Sequence, residues 1–324
     1  MKRLLTLIIP LLFASCTVQK VAYQLTSVPE EGGIRFTQLT EEDEDVAYPV
    51  IIKDEETKML KWYAAPLLAI SPDGEQIAYI GASNSFNNLY IKQIIGGRKK
   101  IQRTFNKNIM DMSFSPDGKQ ISFSENKGDN SDIYLINATE GSAVTQLAAT
   151  NSGEVGPAFA PDGKSIFYTV QEGSRFYVWN VILETGLKTQ YSEGFTPVLT
   201  PDGENLLITR NNKNTRFGEI WMINIKKGTE TMLLSDPDQG FSSPAISPDG
   251  KTIACVGVTL KTENQPQNLD IYTFKIDGTR LTQLTFHGGH DVSPIWAPDG
   301  KSIFFLAQRA NLKGKFNVWQ MNVN

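Results

Sequence analysis

Histidine and cysteine are nearly missing from this sequence: His287 and His290 are the two imidazoles in 324 residues, and Cys16 and Cys255 the two thiols. A Ser-His-Asp or Cys-His mechanism therefore has almost no candidate base. The Gly-x-Ser-x-Gly turn that raises a hydrolase serine does not occur either. There is no long run of Lys and Arg, and the formal net charge is -4, so a nucleic-acid backbone finds no electrostatic partner here. Long apolar runs are missing too. The N-terminal one, from Leu4 to Phe13, is interrupted by Pro10 and is about half of the roughly 20 residues that a spanning helix needs. With 40% hydrophobic, 10% aromatic and 20% charged residues, the remaining class is an ordinary folded globular chain.

What is present begins with an export signal. Met1-Lys2-Arg3 is a charged start, Leu4 to Phe13 an apolar stretch, and Ala14-Ser15 place small residues before a cysteine. Phe13-Ala14-Ser15-Cys16 resembles the lipobox of bacterial lipoproteins, with Phe where Leu is usual. That resemblance implies a signal peptide over residues 1–15 and lipidation of Cys16. Residues 16–33 carry no repeat and read as a lipidated tether. Thr17, rather than Asp, follows the cysteine, which under the same resemblance implies a periplasmic protein held at the outer membrane. Cys255, in an apolar run, reads as an inert core residue.

The rest of the chain repeats. Ser71-Pro72-Asp73-Gly74 returns with Pro-Asp-Gly at 116–118, 161–163, 201–203, 248–250 and 298–300, at intervals of 44, 45, 40, 47 and 50 residues. Proline presets φ for a tight turn, Asp accepts local hydrogen bonds, and Gly takes the left-handed position that closes a hairpin. Asp73, Asp117, Asp162, Asp202, Asp249 and Asp299 therefore read as structural. An aliphatic residue before Tyr or Trp follows each turn, as in Asp132-Ile-Tyr134, Glu219-Ile-Trp221 and Asn317-Val-Trp319, and marks a third strand. Leu281-Thr-Gln-Leu-Thr285 marks a fourth. The sixth unit runs out after its third strand, and Phe36-Thr-Gln-Leu-Thr40 matches the missing fourth from the other end of the chain. The expectation is an all-β, six-bladed β-propeller over residues 34–324, with four antiparallel strands per blade, closed by the N-terminal strand pairing into the last blade.

The Ser-Pro-Asp-Gly-Lys turns, the Ile-Tyr third strands and the Leu-Thr fourth strands resemble the TolB-type propeller repeat. The likeness implies a non-catalytic cell-envelope protein that binds a protein or peptide partner through its loop face and channel mouth, in an envelope or peptidoglycan-associated complex. It implies no cofactor and no contact with the membrane other than the lipid. A full TolB protein carries an α/β domain before its propeller, whereas Thr17 to Gly33 alone precede this one. A glycan-binding or glycan-active propeller and a structural scaffold stay open as alternatives, since fold does not fix activity.

Function should sit where the blades differ, on the face opposite the Pro-Asp-Gly turns. Long polar loops there carry Arg210, Lys213, Arg216, Arg309 and Lys313, whose forks and ammonium groups suit a carboxylate or phosphate. His287-Gly-Gly-His290-Asp291 lies on the same face; His287 and His290 join the partner-binding set, and with Asp291 they are weak candidates for a metal. The acidic run Glu41 to Asp45 reads as a solvated insertion.

Overall fold

The computed structural model describes residues 27–41, 46, 51–53, 60–62, 67–83, 85–96, 99–128, 130–139, 143–150, 152–215, 217–259, 267–309 and 315–323. The leader, Cys16, the acidic residues 42–45, Arg216 and Lys313 lie outside them. Among the described residues there are strands and turns and no helix. Five four-stranded antiparallel sheets span residues 68–102, 109–148, 153–193, 195–234 and 240–283, numbered here as blades 1 to 5 with strands A to D from inside out. Blade 6 takes strands A to C from residues 291–322 and its remaining strands from the N-terminus.

Each Pro-Asp-Gly sits at the A–B hairpin. Gly74 N donates to Ser71 O at 2.8 Å, and the same bond closes the other five turns. All six glycines have positive φ, between 69° and 75°, where a side chain would be strained. The aspartates do local work. Asp73 Oδ1 accepts from Ser71 Oγ at 2.5 Å and from Glu75 N at 2.9 Å. The Ser or Thr hydroxyl beside Asp73, Asp117, Asp202 and Asp249 is the main reason their carboxyls lie below the usual range. Asp162 and Asp299, which follow Ala, keep the backbone bond, from Lys164 N and Lys301 N at 2.9 Å.

The turns also touch one another. The position a Cβ would take on Gly118 lies 3.4 Å from Pro72, on Gly163 3.8 Å from Pro116, on Gly203 3.8 Å from Pro161, on Gly250 3.7 Å from Pro201 and on Gly300 3.8 Å from Pro248. Gly74 completes the circle against Pro298 at 3.7 Å. Each blade's glycine thus meets the proline of the blade before it, and blade 1 meets blade 6.

The ring closes by strand pairing between the two ends of the chain. Strand β1 covers Ser27–Glu31 and β2 covers Ile34–Gln38. β2 pairs with Asn317–Asn322, Phe36 opposite Met321 and Gln38 opposite Trp319. The match between residues 36–40 and 281–285 has a side-chain basis. Thr40 Oγ1 accepts from Val318 N at 3.0 Å, as Thr285 Oγ1 does from Ile271 N and Thr104 Oγ1 from Leu89 N, both at 2.9 Å. Gln38, Gln283 and Gln102 each donate from Nε2 to the carbonyl of their Thr at 2.8 Å. The N-terminal strand is therefore chemically a fourth strand.

Blade 6 differs from expectation in having five strands. β1 adds outside β2, with Ser27 opposite Thr37 and Glu31 opposite Ile34. Residues 27–31 therefore belong to blade 6. Pro29 is tolerated because an edge strand need not donate every N–H, and it blunts that edge. After Thr40 the chain crosses toward blade 1 by way of Val46, which bridges to both Phe316 and Gly81, and forms a hairpin of β3 (Ile51–Lys53) with β4 (Leu60–Trp62).

The inner strands of blades 3 to 6 bulge at the prolines the sequence places there. Their registers slip between Val155 and Ala158, Phe195 and Val198, Ser242 and Ala245, and Val292 and Ile295. The residue before each proline, Gly156, Thr196, Ser243 or Ser293, has φ between 52° and 64°. The bulge turns a backbone N–H toward the preceding blade: Gly156 N donates to Asp111 Oδ2 at 2.9 Å, and Thr196 N to Thr169 Oγ1 at 3.2 Å.

Asp111 carries a pH dependence. It is fully buried, accepts also from Ser124 N and Oγ, and its burial outweighs those donors, raising its pKa from 3.8 to about 6. The folded state then holds a proton that the unfolded chain releases at lower pH. Its contribution is greatest below the unfolded value and is lost as pH rises to about 6, amounting to roughly 3 kcal/mol. Denaturant midpoints should fall between pH 4 and pH 6.5, and Asp111→Asn should flatten that slope. An equal slope in the variant would assign the effect to other groups.

Candidate functional site

Antiparallel blades put the B–C loops and the D-to-A connections on the face away from Pro-Asp-Gly. There, between blades 3 and 4, lies a groove of about 920 Å³. One wall comes from Arg175 and Phe176 after the blade 3 B–C turn and from Ser192 and Glu193 at the end of strand D. The other comes from Arg210 to Asn214, Glu219, Trp221, Glu230 and Met232 of blade 4.

Arg210 organises the groove. Its Nη1 and Nη2 grip Glu230 Oε2 and Oε1 at 2.8 and 2.7 Å, its Nε donates to Glu193 O at 2.7 Å, and Nη2 also donates to Ser192 Oγ at 2.5 Å. The guanidinium lies 4.7 Å from the centre of the Trp221 ring. The sequence offers Arg210 as an open fork for a ligand carboxylate, but the fork is already filled by Glu230, so Arg210 builds the wall. Lys213, in the adjoining loop, is exposed and lines the same groove. Arg175, also exposed, stands at the tip of a short hairpin rather than in a long loop, so the sequence pattern does not mark it.

Two glutamates sit beside these cations, and the surroundings of each hold its pKa below the usual carboxylate value. Donation from Arg210 is the main cause of the low pKa of Glu230. For Glu219, burial is the largest single influence and raises the value, but donation from Asn212, Trp221 and Ser235 together with the Arg210 charge carries it below normal. The bonds are Asn212 Nδ2 to Glu219 Oε1 at 2.7 Å, Ser235 Oγ to the same oxygen at 2.9 Å, and Trp221 Nε1 to Oε2 at 3.0 Å. Glu219 lies near the start of strand C, as Asn88, Asp270 and Asn317 do in their blades. Those three lie within 3.1–3.4 Å of the threonines that follow their fourth strands, Thr104, Thr285 and Thr40. Its hydrogen bond to Ser235 is blade 4's version of that latch.

The other expected site residues do not join this groove. Arg309 is fully buried in blade 6, where its Nε and Nη2 donate to Asp291 Oδ1 and Oδ2 at 3.0 and 2.5 Å. Its guanidinium lies 4.0 Å from the Phe36 ring centre and 5.4 Å from that of Phe305. A group so enclosed offers no contact to a partner, which corrects the expectation from its polar loop. Asp291 is thereby engaged as well. His287 Nδ1 accepts from Gly289 N at 3.0 Å, and His290 Nδ1 lies 3.1 Å from Asn268 Oδ1. Burial lowers the His290 pKa, favouring the neutral ring. Among the described residues, no three His, Cys, Asp or Glu side chains converge in a group that could hold a metal. Cys255 is buried, and burial pushes its thiol up and out of reactivity.

Inside the ring, a smaller apolar pocket of about 230 Å³ is lined by Thr196-Pro197, Ser243-Pro244 and Ser293-Pro294, the bulges of blades 4 to 6.

Residues 17–253 match the family model of the TolB beta propeller domain. The chain belongs to that family. Among TolB relatives, the Tol-Pal system protein TolB of Francisella tularensis subsp. mediasiatica is 28% identical over 238 residues, covering 70% of this chain and 53% of its own. This propeller thus spans about half the length of that TolB. A solved putative TolB from Agrobacterium tumefaciens superposes with a TM-score of 0.61 at 19% identity, covering 83% of this chain and 95% of the other. An oligogalacturonate lyase from Vibrio parahaemolyticus superposes with a TM-score of 0.59 at 12% identity, covering 92% and 96%. At these identities both structures speak for the fold alone.

Proposed function

We propose that this TolB-like propeller is a non-catalytic, lipid-anchored cell-envelope protein that takes a protein or peptide segment into the groove between blades 3 and 4. The groove itself supports the reading. It combines exposed cations at Arg175 and Lys213, an ionised carboxylate at Glu230, and aromatic surface at Phe176, Phe195 and Trp221. That mixture suits a chain carrying charged and apolar side chains in alternation. The exposed side chains of Asn211 and Asn214 add donors and acceptors for a peptide backbone. The Tol-Pal name of the relatives fits an envelope setting, and Cys16 supplies the anchor.

A photo-crosslinker in place of Lys213 tests this in cells. We expect a discrete protein adduct that disappears when Arg175→Glu is added, and no such adduct from Lys251 on the Pro-Asp-Gly face. Equal adducts from both faces would remove the groove from consideration, and release of oligosaccharide from an envelope polysaccharide would overturn the non-catalytic reading.

A further inference from the structure

The five-stranded blade 6 fixes where the tether leaves the ring. β2 runs toward the loop face, since Thr40 beyond its end bonds Asn317 and Val318 at the start of strand C. β1 is antiparallel to it, with Ser27 opposite Thr37 and the turn at Gly32-Gly33. Ser27 therefore lies at the rim of the loop face, the same face as the groove. Glu31 and the Gly32-Gly33 turn lie toward the Pro-Asp-Gly end. Between Cys16 and Ser27 there are eleven peptide steps, which reach at most about 40 Å. β1 is pinned for five residues, roughly 17 Å of blade height that the tether does not have to traverse.

We infer that the loop face is turned toward the membrane that holds the lipid, with the Pro-Asp-Gly face directed away from it. The inference rests on the proposed lipidation of Cys16. A tether of this length leaving from the rim brings the groove near the bilayer, and its partner is then the juxtamembrane segment of a protein anchored in the same leaflet. A tether leaving directly from β2 would instead have started at the Pro-Asp-Gly end and favoured the opposite orientation.

The test uses the full lipidated chain in vesicles containing an acceptor-labelled lipid. Donor dyes are placed one at a time at Lys213→Cys on the loop face and Glu204→Cys beside the Pro-Asp-Gly turn, both exposed on blade 4 so that tilt of the ring affects them alike. Cys255 is fully buried and does not compete for the dye. We expect stronger energy transfer from position 213 than from 204. The difference should shrink when roughly twenty Gly/Ser residues are inserted before Ser27. Lipidated protein giving equal transfer from both positions, or stronger transfer from 204, overturns the orientation and leaves the anchor standing. Wild-type protein that fails to bind vesicles while behaving as Cys16→Ala does overturns the anchor and the orientation together. Transfer that follows the expected order, with an adduct from position 213 that carries soluble Cys16→Ala protein into the membrane fraction, supports both the orientation and the partner class.

Discussion

Arg309→Ala should lower the stability of the ring by about 3–5 kcal/mol, read as a fall in denaturant midpoint at unchanged slope. The magnitude comes from what is left behind. Arg309 and Asp291 are both fully buried and joined by two hydrogen bonds, so truncating the arginine strands a carboxylate in a site closed to water. The guanidinium also covers the face of Phe36, and that contact is lost too. Replacing both partners, with Arg309→Met and Asp291→Asn together, removes the stranded charge and should recover at least half of the loss. If the double variant is as unstable as Arg309→Ala alone, the damage comes from lost packing rather than from the loss of the charge that balances Asp291.

Phe36→Ala should have a comparable effect, about 3–5 kcal/mol, from a residue that belongs to the closing strand. Phe36 is fully buried, packs edge-on to Phe305 with ring centres 6.1 Å apart, and lies under Arg309. The cost combines the apolar area lost with a cavity where strands from opposite ends of the chain meet. The two substitutions share a contact, so their effects in one chain should fall short of their sum. A loss below about 1 kcal/mol for Phe36→Ala would mean that β2 is peripheral and the ring is held by its turns.

The fold was legible because its signals are local. A Pro-Asp-Gly turn needs its three residues wherever the rest of the blade lies, so six copies survive in one dimension. The fourth-strand motif is equally local, and Phe36-Thr-Gln-Leu-Thr40 matches residues 281–285 at all but the first position. β1 was not legible, because Ser-Val-Pro-Glu-Glu has the composition of a linker and becomes a strand only when β2 offers it an edge. The groove was hidden for a different reason. Its residues come from two blades, and Glu219 and Trp221 looked like one more third-strand repeat. Arg210 and Arg309 were equivalent in the sequence, each an arginine opening a polar loop. Their fates diverge because Glu230 lies on an exposed outer strand while Asp291 starts a buried inner one. No pattern along the chain carries that distinction.

The place where the two chain ends meet has a mechanical consequence. The seam runs through the interior of blade 6, between β2 and its third strand, instead of between two blades. Prising the ring apart therefore means unzipping a hydrogen-bonded sheet, with Phe36 pulled from under Arg309 as it goes, before any pair of neighbouring blades can separate. Pulling force transmitted from a membrane anchor would arrive at that same sheet, on β1 first, so the fifth strand would be the first element to yield while the closed ring behind it stays whole.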